Sequence, residues 1–474
     1  MSNPDTQSQQ HTQSSLSSPA IGAREWSIID AETWDKIRTQ TKTSTGEPAA
    51  TEPSPSAPDT ARSSSNPHGL SHAPVPGSAL TKTQDTEADP DHGLVTARFR
   101  HVVTDGGHIV ITGRANDSYQ ACEDEPVRIP GAVQSFGCLI VLREEIDGKL
   151  AVHVASENSE VILGYSPKCL CALPNFCDIL DEDQTENLLD HLDFVRDDGY
   201  DPSVDGPEVF LLSVKLPSGK PRRFWCAAHL SPADSKLVIC EFKLEEDQIN
   251  PLSVSGLITP VTPTDTLGVE PTPEQLEHST VNMSQPLRVL QNARRRRGEA
   301  AAMEVFSILS QIQDQLGRAK SLDSLLNTAT GLVKELTGFH RVLIYQFDTD
   351  WNETVVAELV DPKASVELYK GLCFPASDIP KQARDLYRIN KVRLLYDRDQ
   401  VTSRLVCRTL EDLQTPVDMT HSYLRAMSPI HLKYLANMGV RASMSISISG
   451  FNELWGLISC HTYGTHGMRV SFLV

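Results

Sequence analysis

Ser443-Met444-Ser445-Ile446-Ser447-Ile448-Ser449, followed closely by Trp455-Gly456-Leu457-Ile458-Ser459-Cys460-His461, decides the fold of the second half of this chain. Side chains alternate along a strand, so the first run carries hydroxyls on one face and Met444, Ile446 and Ile448 on the other. The second run is apolar enough to be a central strand. Hydroxyls inside a domain need polar partners, so this sheet is expected to hold polar cargo. Working outward, the spacing predicts helices over 300–316 and 322–337, then strands over 341–347 and 353–359. A helix over 378–390, a loop of about 25 residues from Tyr396, a helix over 422–437 and strands over 443–449 and 454–461 complete the pattern. Residues 299–474 thus read as an α+β domain, an antiparallel sheet with flanking helices.

The first half carries a second such domain at 93–247. Phe136-Gly137-Cys138-Leu139-Ile140-Val141-Leu142 is a short apolar run bounded by turn residues, the mark of a buried strand. Similar runs predict strands over 150–155 and 237–242, with an acidic helix over 178–194 between them. Residues 248–298 are a Pro/Thr/Ser linker closing with Arg294-Arg295-Arg296-Arg297, a solvated basic flank or, alternatively, a nuclear-import signal or nucleic-acid patch. Residues 1–92 are roughly half Ser, Thr, Pro and Gln and read as a disordered extension, because such a segment buries too little apolar surface to offset its ordering entropy. Trp26, Ile28, Ile29, Trp34 and Ile37 form an apolar island within it, a transient helix or a docking motif.

The 474 residues hold 43 Lys+Arg and 62 Asp+Glu, a net charge of 43 − 62 = −19, which argues against a nucleic-acid partner. No stretch approaches the ~18 consecutive apolar residues of a membrane span, and the N-terminus lacks a secretory pattern. Ten cysteines read as reduced thiols, and the location as cytoplasmic, with the nucleus as an alternative. The P-loop, dinucleotide, nucleophile-elbow, zincin and kinase signatures are all missing, so no enzyme activity is expected of this chain. Cys169, Cys171 and Cys177 read as apolar thiols, since no second pair stands at zinc spacing.

Arg425, Ser428 and His431 recur at a three-residue spacing, and Arg393 lies just past the 378–390 helix. Two arginines, several serines and two histidines around a sheet describe a pocket for a carboxylate-bearing anion, with Tyr345, Phe374, Tyr387 and Tyr434 as aromatic walls. Surface arginines and core histidines remain an alternative on spacing alone.

Phe374-Pro375-Ala376-Ser377-Asp378-Ile379-Pro380 closely resembles the phytochrome GAF motif. So do Arg425-Ala426-Met427-Ser428-Pro429-Ile430-His431-Leu432-Lys433-Tyr434-Leu435 and the 455–461 run. Cys122-Glu123-Asp124-Glu125-Pro126-Val127-Arg128-Ile129-Pro130-Gly131-Ala132-Val133-Gln134 resembles the phytochrome N-terminal PAS entry. The resemblance covers about 118–474 in the family's order. Ser135 and Phe136 stand where bacterial members have a Pro-His pair, and Arg128 where they have His. With the Ser/Thr/Pro-rich extension, this resembles the fungal-type branch.

The resemblance implies a red/far-red photoreceptor whose GAF pocket holds a linear tetrapyrrole, biliverdin, attached through Cys122. Plant-type members use a cysteine just before the motif His, where Ile430 stands here. Glu123, Asp124 and Glu125 disfavour the Cys122 thiolate, so attachment is expected to depend on positioning. By the same resemblance, Arg393 and Arg425 bind the propionates with Ser428, Ser443 and Ser445. Asp378 and His431 sit around the pyrrole nitrogens, and His461 meets the D-ring carbonyl. Tyr345, Phe374 and Tyr434 form the D-ring pocket, and Ile379, Pro380 and Tyr387 complete the set. Light would flip the D ring and re-bias a two-state protein. The loop after Tyr396 resembles the insertion through which the family threads its N-terminal segment, a true knot. Longer members are expected to be homodimers and to carry a kinase module. This chain ends at Phe472-Leu473-Val474, short of the terminal GAF helix and the PHY domain, so weak photoconversion and self-association are expected. The rival readings are a sensor of another anion, such as a cyclic nucleotide, and a pigment-free interaction scaffold.

Overall fold

Cys138–Glu144 shows why an unbroken apolar run stands where it does. Cys138, Ile140 and Leu142 pack into one core with Leu188, Leu192 and Val195 of the helix Glu182–Arg196. Leu139 and Val141 face the other way, into a second core with Tyr396, Leu405, Met419 and Leu424 from the C-terminal half. A sheet covered on both faces has no polar side. The computed structural model describes residues 127–247, 268, 270–287, 299–365, 367–450 and 453–464, with the backbone alone at 299–304 and in the strands between 86 and 119. The 24–38 island, Cys122, the 294–297 arginines and the 472–474 end lie outside the described residues.

The N-terminal sheet has nine strands, in the order Thr86–Ala88, Val95–Ala97, Ser403–Cys407, Leu150–Ser156, Cys138–Glu144, Leu237–Leu244, Pro221–Leu230, Glu208–Lys215, with Ala132–Val133 also on Ser403–Cys407. Thr86–Ala88 falls inside the stretch expected to be a disordered extension. Glu208–Lys215 and Pro221–Leu230 escaped the sequence reading; two arginines and a proline at the start of the second mask its pattern. The helix expected from 178 starts at Glu182, because Phe176–Ile179 is a separate 3-10 turn. The linker also differs from expectation: Pro273–Thr280 is a helix whose first turn is closed by a reciprocal Thr272–Gln275 capping box.

The C-terminal sheet has six strands, in the order Cys373–Phe374, Glu353–Val360, Arg341–Phe347, Glu453–Tyr463, Val440–Gly450, Val392–Leu395. Val342, Met444 and Cys460 pack on one face around Phe339. Leu326, from the helix Leu322–Thr337, covers Ile344 and Ala357 beside them. The opposite face lies under the helices Lys381–Ile389 and Pro429–Asn437. The second of these is shorter than the 422–437 expected. Ser428 precedes a proline, which disfavours helical backbone there, and Pro429 opens the helix with Ser428 accepting from Ile430 N and His431 N. The preceding stretch is irregular, with turns at 420–424, and Arg425 bridges Val133 of the N-terminal half. Among the described residues no helix is long and apolar enough to cross a membrane.

The two halves are joined by a clasp. The segment 128–134 runs between the two limbs of the loop that leaves the C-terminal sheet at Leu395. On one edge Leu405 N donates to Gly131 O (2.9 Å) and Met419 N to Arg128 O (2.8 Å). On the other, Gln134 N donates to Leu424 O (2.8 Å) and Ala426 N to Ala132 O (3.1 Å). The Gln134 amide, 4% exposed, fills the middle: Nε2 donates to Leu394 O (2.8 Å) and Oε1 accepts from Tyr396 N (2.9 Å). The loop expected to be irregular therefore supplies Ser403–Cys407 as a strand of the other domain's sheet.

Gln134→Leu keeps the shape and strands a buried Tyr396 N–H and Leu394 carbonyl. Each orphaned group costs ~1–3 kcal/mol. Urea unfolding should show a loss of about 2–4 kcal/mol; an unchanged midpoint would mean the amide is not the fastening.

Candidate functional site

On the face of the C-terminal sheet opposite the helix Leu322–Thr337, Ser443, Ser445, Leu457, Ser459 and His461 line a cavity of about 260 Å³. Its roof comes from Asp378, Ile379 and Pro380, from Tyr387 on one helix, and from His431 and Tyr434 on the other. Arg393 enters from the edge strand Val392–Leu395, and Arg425 and Ser428 from the segment before the second helix. Val127, of the N-terminal half, belongs to the same wall. Tyr345 lines the cavity, whereas Phe374 stands behind it, edge-on with ring centroids 5.8 Å apart. So the structure brings thirteen of the fifteen expected residues to one wall, puts Phe374 in the row behind, and leaves Cys122 outside the described residues. Ser447 and Ser449, further along the hydroxyl row, do not line it. Cys169 is exposed and Cys171 buried, and no group of three or more potential metal ligands occurs among the described residues.

The two arginines do different work. Arg393 donates through Nη2 to the carbonyls of Arg425 and Ala426 and through Nη1 to that of Tyr423 (3.4 Å). It fastens the segment that carries Arg425. Arg425 is 5% exposed, and its Nη1 has no hydrogen-bond partner. Burial, and then the charge of Arg393, press its pKa well below the usual guanidinium value. An anion beside Nη1 would relieve both effects.

Burial also makes the pocket histidines neutral. His431 is pushed down to about 4 and His461 to about 3, each by desolvation first and a nearby arginine second, Arg393 for His431 and Arg341 for His461. Ser459 Oγ and His461 Nε2 lie 3.1 Å apart, and His461 Nδ1 has no partner. Asp378 accepts from Tyr434 Oη (3.4 Å), and burial raises its carboxyl.

Sequence reading missed Glu241. This buried carboxylate of the strand Leu237–Leu244 accepts from Tyr423 N and Leu424 N, both at 2.8 Å. It thereby grips from the N-terminal half the segment that Arg393 grips from the C-terminal half. Desolvation raises it to about 7, against the opposing pull of these two amides and the arginines. An acid inside Val238-Ile239-Cys240-Glu241-Phe242 was the signal available. Glu353, a second missed acid, lines the cavity.

An unpaired guanidinium nitrogen, an unpaired imidazole nitrogen and sheet hydroxyls, set among Tyr345, Ile379, Tyr387 and Leu457, suit an elongated ligand with carboxylates and an unsaturated apolar body.

The PAS fold family matches residues 122–206 and the GAF domain family residues 321–472. A bacteriophytochrome of Xanthomonas campestris pv. campestris is 44% identical over 163 residues, which are 34% of this chain and 25% of that protein. Cyanobacterial phytochrome B of Nostoc sp. is 32% identical over 341 residues, 72% of this chain and 36% of that protein. The solved chromophore-binding domain of Stigmatella aurantiaca phytochrome P1 is 30% identical with a TM-score of 0.54, and the match covers 74% of this chain and 94% of that one. This chain carries a phytochrome PAS–GAF photosensory module. It spans about a quarter to a third of those curated relatives' length.

Within the module, the different tasks of the two arginines predict different losses without any ligand. Arg393→Ala orphans three carbonyl contacts made by a charged donor and should lower the unfolding free energy by about 2–5 kcal/mol. Arg425→Ala removes a buried cation with an unmade bond and should stay within about 1 kcal/mol of the parent. Equal losses in urea titrations would contradict this division.

Proposed function

We propose that this module is a red/far-red light sensor that holds biliverdin in the cavity, attached through Cys122, as the photosensory part of a fungal-type phytochrome. The observation that carries the reading is Arg425, a buried guanidinium with an unmade hydrogen bond in a wall that also offers aromatic and aliphatic surface and hydroxyls. A dicarboxylic, conjugated molecule satisfies both halves of that wall. Val127 lines the cavity, and Cys122 lies five residues upstream of it.

Bound pigment would supply red absorption and a photoisomerisable double bond in its D ring. Arg425 would bind a propionate, assisted by Ser443 and Ser445, while Arg393 and Glu241 hold Arg425 in place. His461 would hold a carbonyl through its unpaired Nδ1–H, its Nε2 being turned to Ser459 Oγ. Tyr345 and Tyr434, backed by Phe374, would bound the ring that turns. His431, neutral in the dry pocket, would accept or return a proton at a ring nitrogen. Leu457 and Ile379 exclude water from the same space.

Purified chain mixed with biliverdin should acquire a red absorption band and, on a denaturing gel, zinc-induced pigment fluorescence. Cys122→Ala should keep the band and lose the gel fluorescence. Arg425→Ala should weaken retention by about 2–5 kcal/mol. A chain that gains no band would refute the reading, and a Cys122→Ala variant that stays labelled would move the attachment to another thiol.

A further inference from the structure

The strand Glu353–Val360 opens with a carboxyl that none of the roles above employs. Glu353 is 2% exposed and lines the cavity, and its Oε1 has no hydrogen-bond partner. The Ile379 N–H bonds the same carboxyl from the roof loop. One residue earlier in that loop, Asp378 lines the same wall and accepts from Tyr434 Oη.

The charged and titratable groups facing Glu353 come from four elements. Arg384, on the helix Lys381–Ile389, donates through Nη1 to the carbonyls of Ala376 and Ile379 and lies 5.0 Å over the Trp351 ring. Its positive charge favours the ionised Glu353 and opposes the effect of Asp378. Tyr345 and Tyr434 feel the Glu353 charge from the sheet and the second helix, and burial holds both phenols protonated. A carboxyl as buried as Glu353 ionises only at a cost, and the negative charge of the half-buried Asp378 nearby adds to that cost. In agreement, desolvation and then Asp378 raise Glu353 to about 8.

We propose that Glu353 keeps its proton at this end of the cavity, with the Asp378 charge opposing its loss, and that Glu353 Oε1 presents it to a hydrogen-bond acceptor of the ligand. The identity of that ligand rests on the biliverdin reading; the retained proton does not. A protonated Glu353 makes this corner selective for a carbonyl or carboxylate oxygen over a cation. It also keeps a proton within the protein that the pocket histidines, neutral by burial, do not hold.

The test has two arms. In the first, the ligand-free chain with carbon-13-labelled Asp and Glu carboxyls is titrated by NMR. A glutamate midpoint near or above neutrality should vanish in Glu353→Gln and fall by about one unit or more in Asp378→Asn, where the neighbouring negative charge is gone. Glu241 gives a second high midpoint, which neither substitution should move. A Glu353 midpoint in the ordinary carboxylate range, or one indifferent to Asp378→Asn, overturns the retained proton. In the second arm the biliverdin-loaded chain is titrated by absorbance. Glu353→Gln retains a donor and should keep the absorption maximum but lose its shift above neutral pH, whereas Glu353→Leu should displace the maximum itself. A Glu353→Leu spectrum identical to the parent's overturns the ligand contact. Should no pigment bind at all, the biliverdin reading fails while the first arm still decides whether Glu353 keeps its proton.

Discussion

The site depends on how a short stretch without regular structure, residues 423–426, is held. It carries Arg425 to the cavity, yet it belongs to no helix and pairs with a strand only through the Val133–Arg425 bridge. Its backbone groups are therefore satisfied from elsewhere, as buried backbone must be. Glu241 takes the amides of Tyr423 and Leu424, Gln134 N binds the Leu424 carbonyl, and Arg393 takes the carbonyls of Tyr423, Arg425 and Ala426. Two of these three fasteners come from the N-terminal half. The anion seat of one domain is thus built by the other, which makes the clasp around 128–134 a functional element and not only a joint.

The polar inventory of the cavity follows from what burial does to each group type. It strips charge from His431 and His461, presses on Arg425 and keeps a proton on Glu353. A guanidinium resists neutralisation far longer than an imidazole, so Arg425 is the group that most wants an anion. The hydroxyls of Ser443 and Ser445 add donors that cost less to dehydrate than a charge. The result is a wall with one cationic end, neutral donors along the sheet and an acidic corner.

Much of this was legible in the sequence, and the remainder has physical reasons. Leu322–Thr337 matches expectation at both ends because its signals are local: Ser321 caps one end and Gly338, left-handed at φ 77°, the other. The serine alternation placed Ser443 and Ser445 on the cavity face correctly, since strand parity needs no knowledge of distant partners. Arg425 was assigned to a helix because its spacing to Ser428 imitates one; the Val133 bridge and the Pro429 start that exclude it act across domains and through backbone sterics. Ser403–Cys407 stayed hidden for the same reason, being a strand only beside distant strands, Val95–Ala97, Ala132–Val133 and Leu150–Ser156. Phe374 was placed one layer too far forward, a distinction that depends on side-chain packing and not on pattern.

Visible circular dichroism on adding biliverdin to the purified chain tests the central claim most directly. Free biliverdin interconverts between mirror-image coils and shows no net visible band, whereas a wall that fixes its carboxylates at Arg425 and its rings against Tyr345 and Tyr434 selects one hand. The account predicts an induced band that saturates at about one pigment per chain, the occupancy of a single cavity. Absorbance that rises with pigment while the visible dichroism stays flat would contradict it.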